Sequence, residues 1–221
     1  MPLTFRLGEL TVVIVAESHN PTILNPDFLR VNEVVPSDWD PSDPAVTTPA
    51  LARVAYSNGV TVQADPGRVT FTERMLGKGR SEAVIPNMAR RWVEVLPHVG
   101  YVAVGINPGG IAVAETQAEA LSFVLNSLVT DGPWKDALDG AARAGLTLHY
   151  GRPDGHLALT IDSTELVTSE PVVAFSANSH HQLRRPGGDH PSRAEQIQSV
   201  VDHWEEDISV FEDLSNQLLG N

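Results

Sequence analysis

RVAYSNGVTVQADPGRVTFTE, residues 53–73, changes character at almost every step: Val54, Tyr56, Val60, Val62, Ala64, Val69 and Phe71 are apolar, and Ser57, Thr61, Gln63, Arg68, Thr70 and Thr72 lie between them. Successive side chains of a strand point to opposite faces, so this period of two predicts three antiparallel strands with one dry face and one wet face. The turns set the register. A three-residue loop at Ser57-Asn58-Gly59 places Tyr56 opposite Val60 and Val54 opposite Val62, with Gly59 in the left-handed region. At Pro66-Gly67 the parity is even and pairs Ala64 with Val69. A Pro-Gly type II turn twists the wrong way for a tight hairpin, which leaves room for a loop widened to four residues.

Upstream, Leu10 to Glu17 has no turn-forming residue and reads as a buried strand. Its apolar run, Leu10 to Ala16, is too short to span a bilayer and has no basic leader before it, so a cytoplasmic protein is expected. Asn20-Pro21 and Asn25-Pro26 initiate turns, Asp27 to Arg30 has room for one helical turn, and the prolines at 36, 41, 44 and 49 impose a loop or an edge-hugging extended segment whose Trp39 docks on the body of the protein.

Downstream, Ile85, Met88, Ala89, Trp92, Val95 and Leu96 form the stripe of a helix from about Pro86 to Leu96. Tyr101 to Asn107 reads as a strand ended by an Asn107-Pro108-Gly109-Gly110 turn, with a short return at Ile111 to Ala114. Thr116 and Glu119 form a capping box for a helix expected to reach Val129. Leu146–Tyr150, Leu157–Asp162 and Val172–Asn178 read as a second strand meander, and Ser192 with Glu195 caps a long terminal helix ending near Leu219. Its polar side is assigned Glu195, Asp202, Glu205, Glu206, Asp207, Glu212 and Asp213. The fold class is therefore α+β: two related halves, about 1–135 and 136–221, each an antiparallel meander followed by an amphipathic helix, within one compact domain spanning 1–221. No β-α-β series with a glycine fingerprint is present, which argues against a doubly wound nucleotide fold.

The chain has 221 residues, no cysteine and a formal charge of −13, a balance that argues against nucleic-acid and anionic-membrane binding. The charge is uneven: between Arg68 and Arg91 six bases face two acids, a local +4 against −17 elsewhere. Arg68, Arg74, Lys78, Arg80, Arg90 and Arg91 are thus the candidate ligand-binding residues, for a phosphate or other small anion. His180, His181, Asp189 and His190 are metal-ligand types, yet neighbouring histidines in an extended chain point apart and Arg184-Arg185 would repel a cation, so a polar surface loop is expected and no metal. Glu17-Ser18-His19 has acyl-transfer residue types without a nucleophile elbow, and no catalytic residue or cofactor is assigned. The apolar stripe of the terminal helix, Trp204, Ile208, Phe211, Leu214 and Leu218, is the candidate interface with a protein partner or a second copy.

The order of elements, together with NPTILNPDF, SNGVTVQADPGRVTF and VGINPGG, is similar to a sporadically distributed family of uncharacterised bacterial proteins. That resemblance implies no activity. The expected function is a non-catalytic interaction or accessory module that self-associates, the alternative being a small-molecule- or phosphate-binding protein or enzyme that uses the basic region 68–91.

Overall fold

The computed structural model describes residues 3–136, 143–165, 170–185, 187 and 191–220. The meander forms as its alternation requires: β3 (Ala52–Ala55), β4 (Val60–Asp65) and β5 (Arg68–Arg74) pair antiparallel, with Val54 opposite Val62, and Val62 opposite Phe71. Tyr56 donates its N–H to the Val60 carbonyl at 2.8 Å, and Gly59 sits at φ 87°, where a side chain would be strained. The Pro66-Gly67 loop stays at two residues, because Asp65 pairs directly with Arg68. Its turn is not of type II, since Gly67 is outside the left-handed region. The Asp65 carboxylate instead accepts the N–H groups of Gly67 (2.8 Å) and Arg68 (3.1 Å), an Asx turn that closes the hairpin.

Six more strands extend this meander into one sheet: β1 (Phe5–Ala16), β2 (Val46–Thr47), β6 (Tyr101–Val113), β7 (Gly145–Arg152), β8 (Gly155–Glu165) and β9 (Pro171–Gln182). Among the described residues the order is β2-β3-β4-β5-β1-β6-β9-β8-β7, nine strands, every neighbouring pair antiparallel. β1 and β6 form the centre. One meander runs outward from each, β5-β4-β3 from β1 and β9-β8-β7 from β6.

Two expected strand limits are corrected. β1 begins at Phe5 rather than Leu10, because a register shift between Leu7 and Glu9 changes the parity and lets both Leu7 and Leu10 turn toward the core. The expected turn at Asn107-Pro108-Gly109-Gly110 does not form, and β6 runs through it. The β6–β9 register passes from Ile106↔Ser179 to Gly109↔Ser176, leaving unpaired the stretch where Pro108 has no N–H to give, while Leu10 of β1 still faces Pro108 on the other side. Gly110 is required there: a Cβ would lie 2.2 Å from the Phe5 ring.

The helices are α1 (Pro26–Val31), α2 (Ile85–Val95), α3 (Gln117–Ser122, continuing as a π turn over Phe123–Leu128), α4 (Arg193–Asp202) and α5 (Trp204–Leu219). α2 packs on β1 and β5, α4 on β6 and α2, α5 on β1, β6 and β9, and α3 on β8 and β9. These helices cover the face that carries Leu10, Val12, Ile14, Val62, Phe71 and Ile106, all fully buried. The opposite face carries Thr11, Gln63, Thr70 and Thr72, half-buried, with Thr11 and Thr72 hydroxyls 3.1 Å apart. Apolar contacts fall into two clusters: one under α2 and α4 with Trp92 at its middle, and a second around Leu159, Ile161, Phe175 and Phe211.

The helix expected to reach about Val129 does run to Leu128, α-helical over Gln117–Ser122 and π-helical over Phe123–Leu128, whereas the long terminal helix is broken at His203 (φ −107°, ψ 19°). There the His203 ring nitrogen Nδ1 takes the Ser199 carbonyl at 2.7 Å, a side-chain competitor for the helix ladder. Ser192 with Glu195 forms the expected capping box, whereas at Thr116 only half of it forms: the hydroxyl accepts the Glu119 N–H at 3.1 Å, and the Glu119 carboxylate accepts the N–H of Glu115 at 2.8 Å instead of that of Thr116. Trp39 is half-buried, edge-on to Tyr56 with ring centres 5.3 Å apart.

Candidate functional site

The six candidate cations do not converge. Arg68 pairs with Asp65 at 3.0 Å on the uncovered sheet face, and Arg80 is tied to Glu212 and to Ser209 (2.9 Å) on α5. Arg90 reaches Asp202 at 3.2 Å, and Arg91 holds the Asn32 carbonyl at 2.9 Å and Glu94 at 3.3 Å. Lys78 is bound at 2.9 Å by Glu73, whose buried carboxylate also accepts the Val84 (2.8 Å) and Ile85 (3.3 Å) N–H groups. A strand carboxylate thus caps α2, whose own N-cap position, Val84, has no acceptor side chain. Arg74 makes no ion pair among the described residues.

Of the candidate interface residues, Trp204, Ile208 and Phe211 are buried within the chain, and Leu214 and Leu218 are half-buried against the second cluster. Glu17 lies 3.6 Å from Arg193, and His19 is a buried ring beside Tyr101, so these do not assemble with Ser18. Burial lowers the His19 pKa, opposed by the Ile14 carbonyl and by Asp65.

What the fold does assemble is Arg152, Ser179, His181 and Asp207. Strand alternation puts Ser179 and His181 on the helix-covered face of β9 and sends His180 to the other, where it stacks on His156 at 4.9 Å. These histidines belong to a strand that reaches Gln182, not to the surface loop expected; Asp189 and His190 lie outside the described residues. Arg152 ends β7, at the hairpin closed by its pairing with Gly155. That glycine is obligatory, since a Cβ would fall 1.8 Å from the His180 carbonyl oxygen. Asp207 descends onto all three from the first turn of α5, where the helix dipole favours an anion.

Asp207 is 6% exposed, which corrects its assignment to the polar side of the helix. It lies three residues after Trp204 and four before Phe211, on the buried stripe. Its Oδ1 accepts from Arg152 Nη1 and from Ser179 Oγ (2.5 Å), and its Oδ2 from His181 Nε2 (2.8 Å). Burial pushes the Asp207 pKa up, but the hydrogen bonds from His181, Ser179 and Arg152, with the attraction of the His181 ring, carry it below the usual carboxylate value. The carboxylate is therefore charged, and its three partners are donors.

A cleft of about 370 Å³ opens over this cluster, lined by Arg152, His181, Ser199, His203, Glu206 and Val210. His181 also borders a neighbouring cleft of about 240 Å³ that contains Asp154, Arg184 and Gln196. The arrangement orients an imidazole on a buried carboxylate. It is not a Ser-His-Asp relay, because the Ser179 hydroxyl is given to Asp207 and lies 3.4 Å from the same ring nitrogen that Asp207 already holds. Among the described residues no three His, Asp or Glu side chains are grouped to hold a metal ion, and no helix is long and apolar enough to cross a membrane. A larger cleft, about 560 Å³, lies between α1 and α2 with Val34, Trp39, Val84 and Met88 in its wall. None of these three clefts is lined by any of the six candidate cations.

In the sequence His181 reads as part of a polar surface loop with no metal, and nothing there joins it to Ser179, Arg152 and Asp207. The available signal was a carboxylate, Asp207, at a buried position of an otherwise apolar stripe. Neither protein-family models nor curated proteins match this chain.

Proposed function

We propose that the protein is a cytoplasmic, non-catalytic interaction or accessory module that self-associates through the outer edge of β7, and that it stands with the bacterial proteins it resembles in layout. The observation that carries this reading is the contrast between the two sheet edges. At one end, β2 is two residues long and flanked by Pro44 and Pro49, the blunting that protects natural edges. At the other, β7 presents GLTLHYG with no charge and no proline, in an unbroken register with β8, and Thr147, His149 and Tyr150 are exposed. Among the described residues no strand pairs with the outer side of β7, and such a row of backbone donors and acceptors is a template that an identical antiparallel β7 satisfies through a two-fold axis. That the terminal-helix residues are largely engaged inside the chain favours β7 over them for this contact.

The related-halves reading, with halves at about 1–135 and 136–221, is supported by a three-strand meander followed by a helix on each side of that division, β3-β4-β5 with α2 and β7-β8-β9 with α4. Light scattering on a size-exclusion column tests the self-association. The wild type is expected at twice the chain mass, and Thr147→Lys with His149→Lys is expected at the chain mass with an unchanged circular dichroism spectrum. A monomeric wild type, or a variant that stays dimeric, overturns it.

A second reading is favoured by the Asp207–His181 pair: binding of a small ligand. With the cations of 68–91 largely paired off, the small-molecule alternative moves to the cleft above His181, where an oriented imidazole and the Val210 side chain face open space.

A further inference from the structure

Two imidazoles line the cleft above Asp207, and each has one nitrogen committed to a group that only accepts. Asp207 is ionised, so His181 Nε2 carries the hydrogen of their 2.8 Å bond. Ser199 offers its carbonyl oxygen, so His203 Nδ1 carries the hydrogen of that 2.7 Å bond. In its neutral form an imidazole has one N–H, and in that form His181 Nδ1 and His203 Nε2 are bare lone pairs. The rest of the wall has the same character. Glu206, exposed and without an ion pair among the described residues, adds a carboxylate, and the Ser199 hydroxyl can also accept. Arg152, the one Arg or Lys among the described residues that line the cleft, is cancelled by its bond to Asp207 and has the same nitrogen on Ser179 at 2.7 Å. Val200 and Val210 supply apolar surface beside these acceptors.

We propose, building on the small-ligand reading, that this cleft binds a small organic ammonium ion: its N–H donors bond to His181 Nδ1, His203 Nε2 and the Glu206 carboxylate, and its alkyl part lies on Val200 and Val210. An anion finds few donors there, and a neutral polyol gains nothing from Glu206.

The test is a titration of the full chain, at a pH where histidine is neutral, with 1,5-diaminopentane, and in parallel with 1,5-pentanediol and pentanoate, following the imidazole nitrogens by NMR. The diamine is expected to shift the His181 and His203 ring signals saturably and to leave those of His156 and His180, on the opposite sheet face, in place. Glu206→Gln, an exposed and conservative change, is expected to weaken the diamine about threefold, the worth of a solvent-screened charge pair. His203→Phe is expected to weaken it about tenfold through loss of an acceptor to a cation. Binding of the diol or pentanoate as tightly as the diamine overturns the ammonium assignment and leaves the cleft standing as a ligand site. An absence of saturable shifts with all three probes removes both, and insensitivity of diamine binding to both substitutions places it elsewhere and overturns the proposal.

Discussion

Burial works against the charge on Asp207, and three donors restore it. The desolvation cost of a buried carboxylate is recovered only while Arg152, Ser179 and His181 all stay in place, so removing the charge leaves Arg152 with an incomplete partner at a site where its side chain is 23% exposed. Asp207→Asn is expected to cost about 2 to 3 kcal/mol at pH 7, less than a fully buried pair because Arg152 and His181 keep some solvent. The pH dependence follows from the direction of the shift. A carboxyl whose folded pKa is depressed contributes stability above its unfolded value, about 3.9, and loses it as the pH falls through the folded value. Urea denaturation between pH 7 and pH 3 should therefore show the gap between wild type and Asp207→Asn narrowing below about pH 5. A gap that stays constant over that range would show that the Asp207 charge adds nothing to stability.

At the scale of elements, α1 shows how local chemistry and strain meet in six residues. Asn25 caps it by accepting the Phe28 N–H at 2.9 Å, and Pro26 occupies the first turn. It ends in a Schellman pattern, with the Val34 N–H on the Leu29 carbonyl (2.8 Å) and the Glu33 N–H on that of Arg30 (3.0 Å). The pattern needs a left-handed residue, and Glu33 takes that place at φ 56° where glycine is favoured. Its carboxylate reaches Arg91 at 3.8 Å while 84% exposed, a contact worth a few tenths of a kcal/mol at most. Glu33→Gly is expected to raise stability by roughly 0.5 to 1 kcal/mol, read as a higher urea midpoint at unchanged slope; no gain would mean that the local strain is relieved in another way. Signals of this local kind are the ones legible in the sequence. The meander, the Ser192 capping box, the Thr116 cap and the Gly59 turn each rest on residues a few positions apart. Asn107-Pro108-Gly109-Gly110 misleads for the converse reason, because its turn preference is overridden by pairing with β1 on one side and β9 on the other. The site was illegible on the same ground: Ser179, Arg152 and Asp207 are separated by 27 and 28 residues and meet only through sheet order and the landing of α5.

For the whole molecule, the question is whether two apolar clusters on one sheet behave as one cooperative unit. Leu7 of β1 packs against both clusters, β6 carries Ile106 in the first and Ala112 in the second, and α5 places Ile208 in the first and Phe211 in the second. Phe211 is fully buried and meets Phe5 edge-on at 5.4 Å, so Phe211→Ala is expected to cost about 3 to 5 kcal/mol. Trp39, Trp92 and Trp204 all belong to or border the first cluster, which makes tryptophan fluorescence largely a reporter of the part left unmutated. If the central strands and α5 couple the clusters, the variant unfolds in urea with fluorescence and far-ultraviolet circular dichroism displaced to the same lower midpoint. An early loss of dichroism with the fluorescence midpoint left at its wild-type value would mean that each half of the sheet holds itself together, and that the shared strands transmit little stability between them.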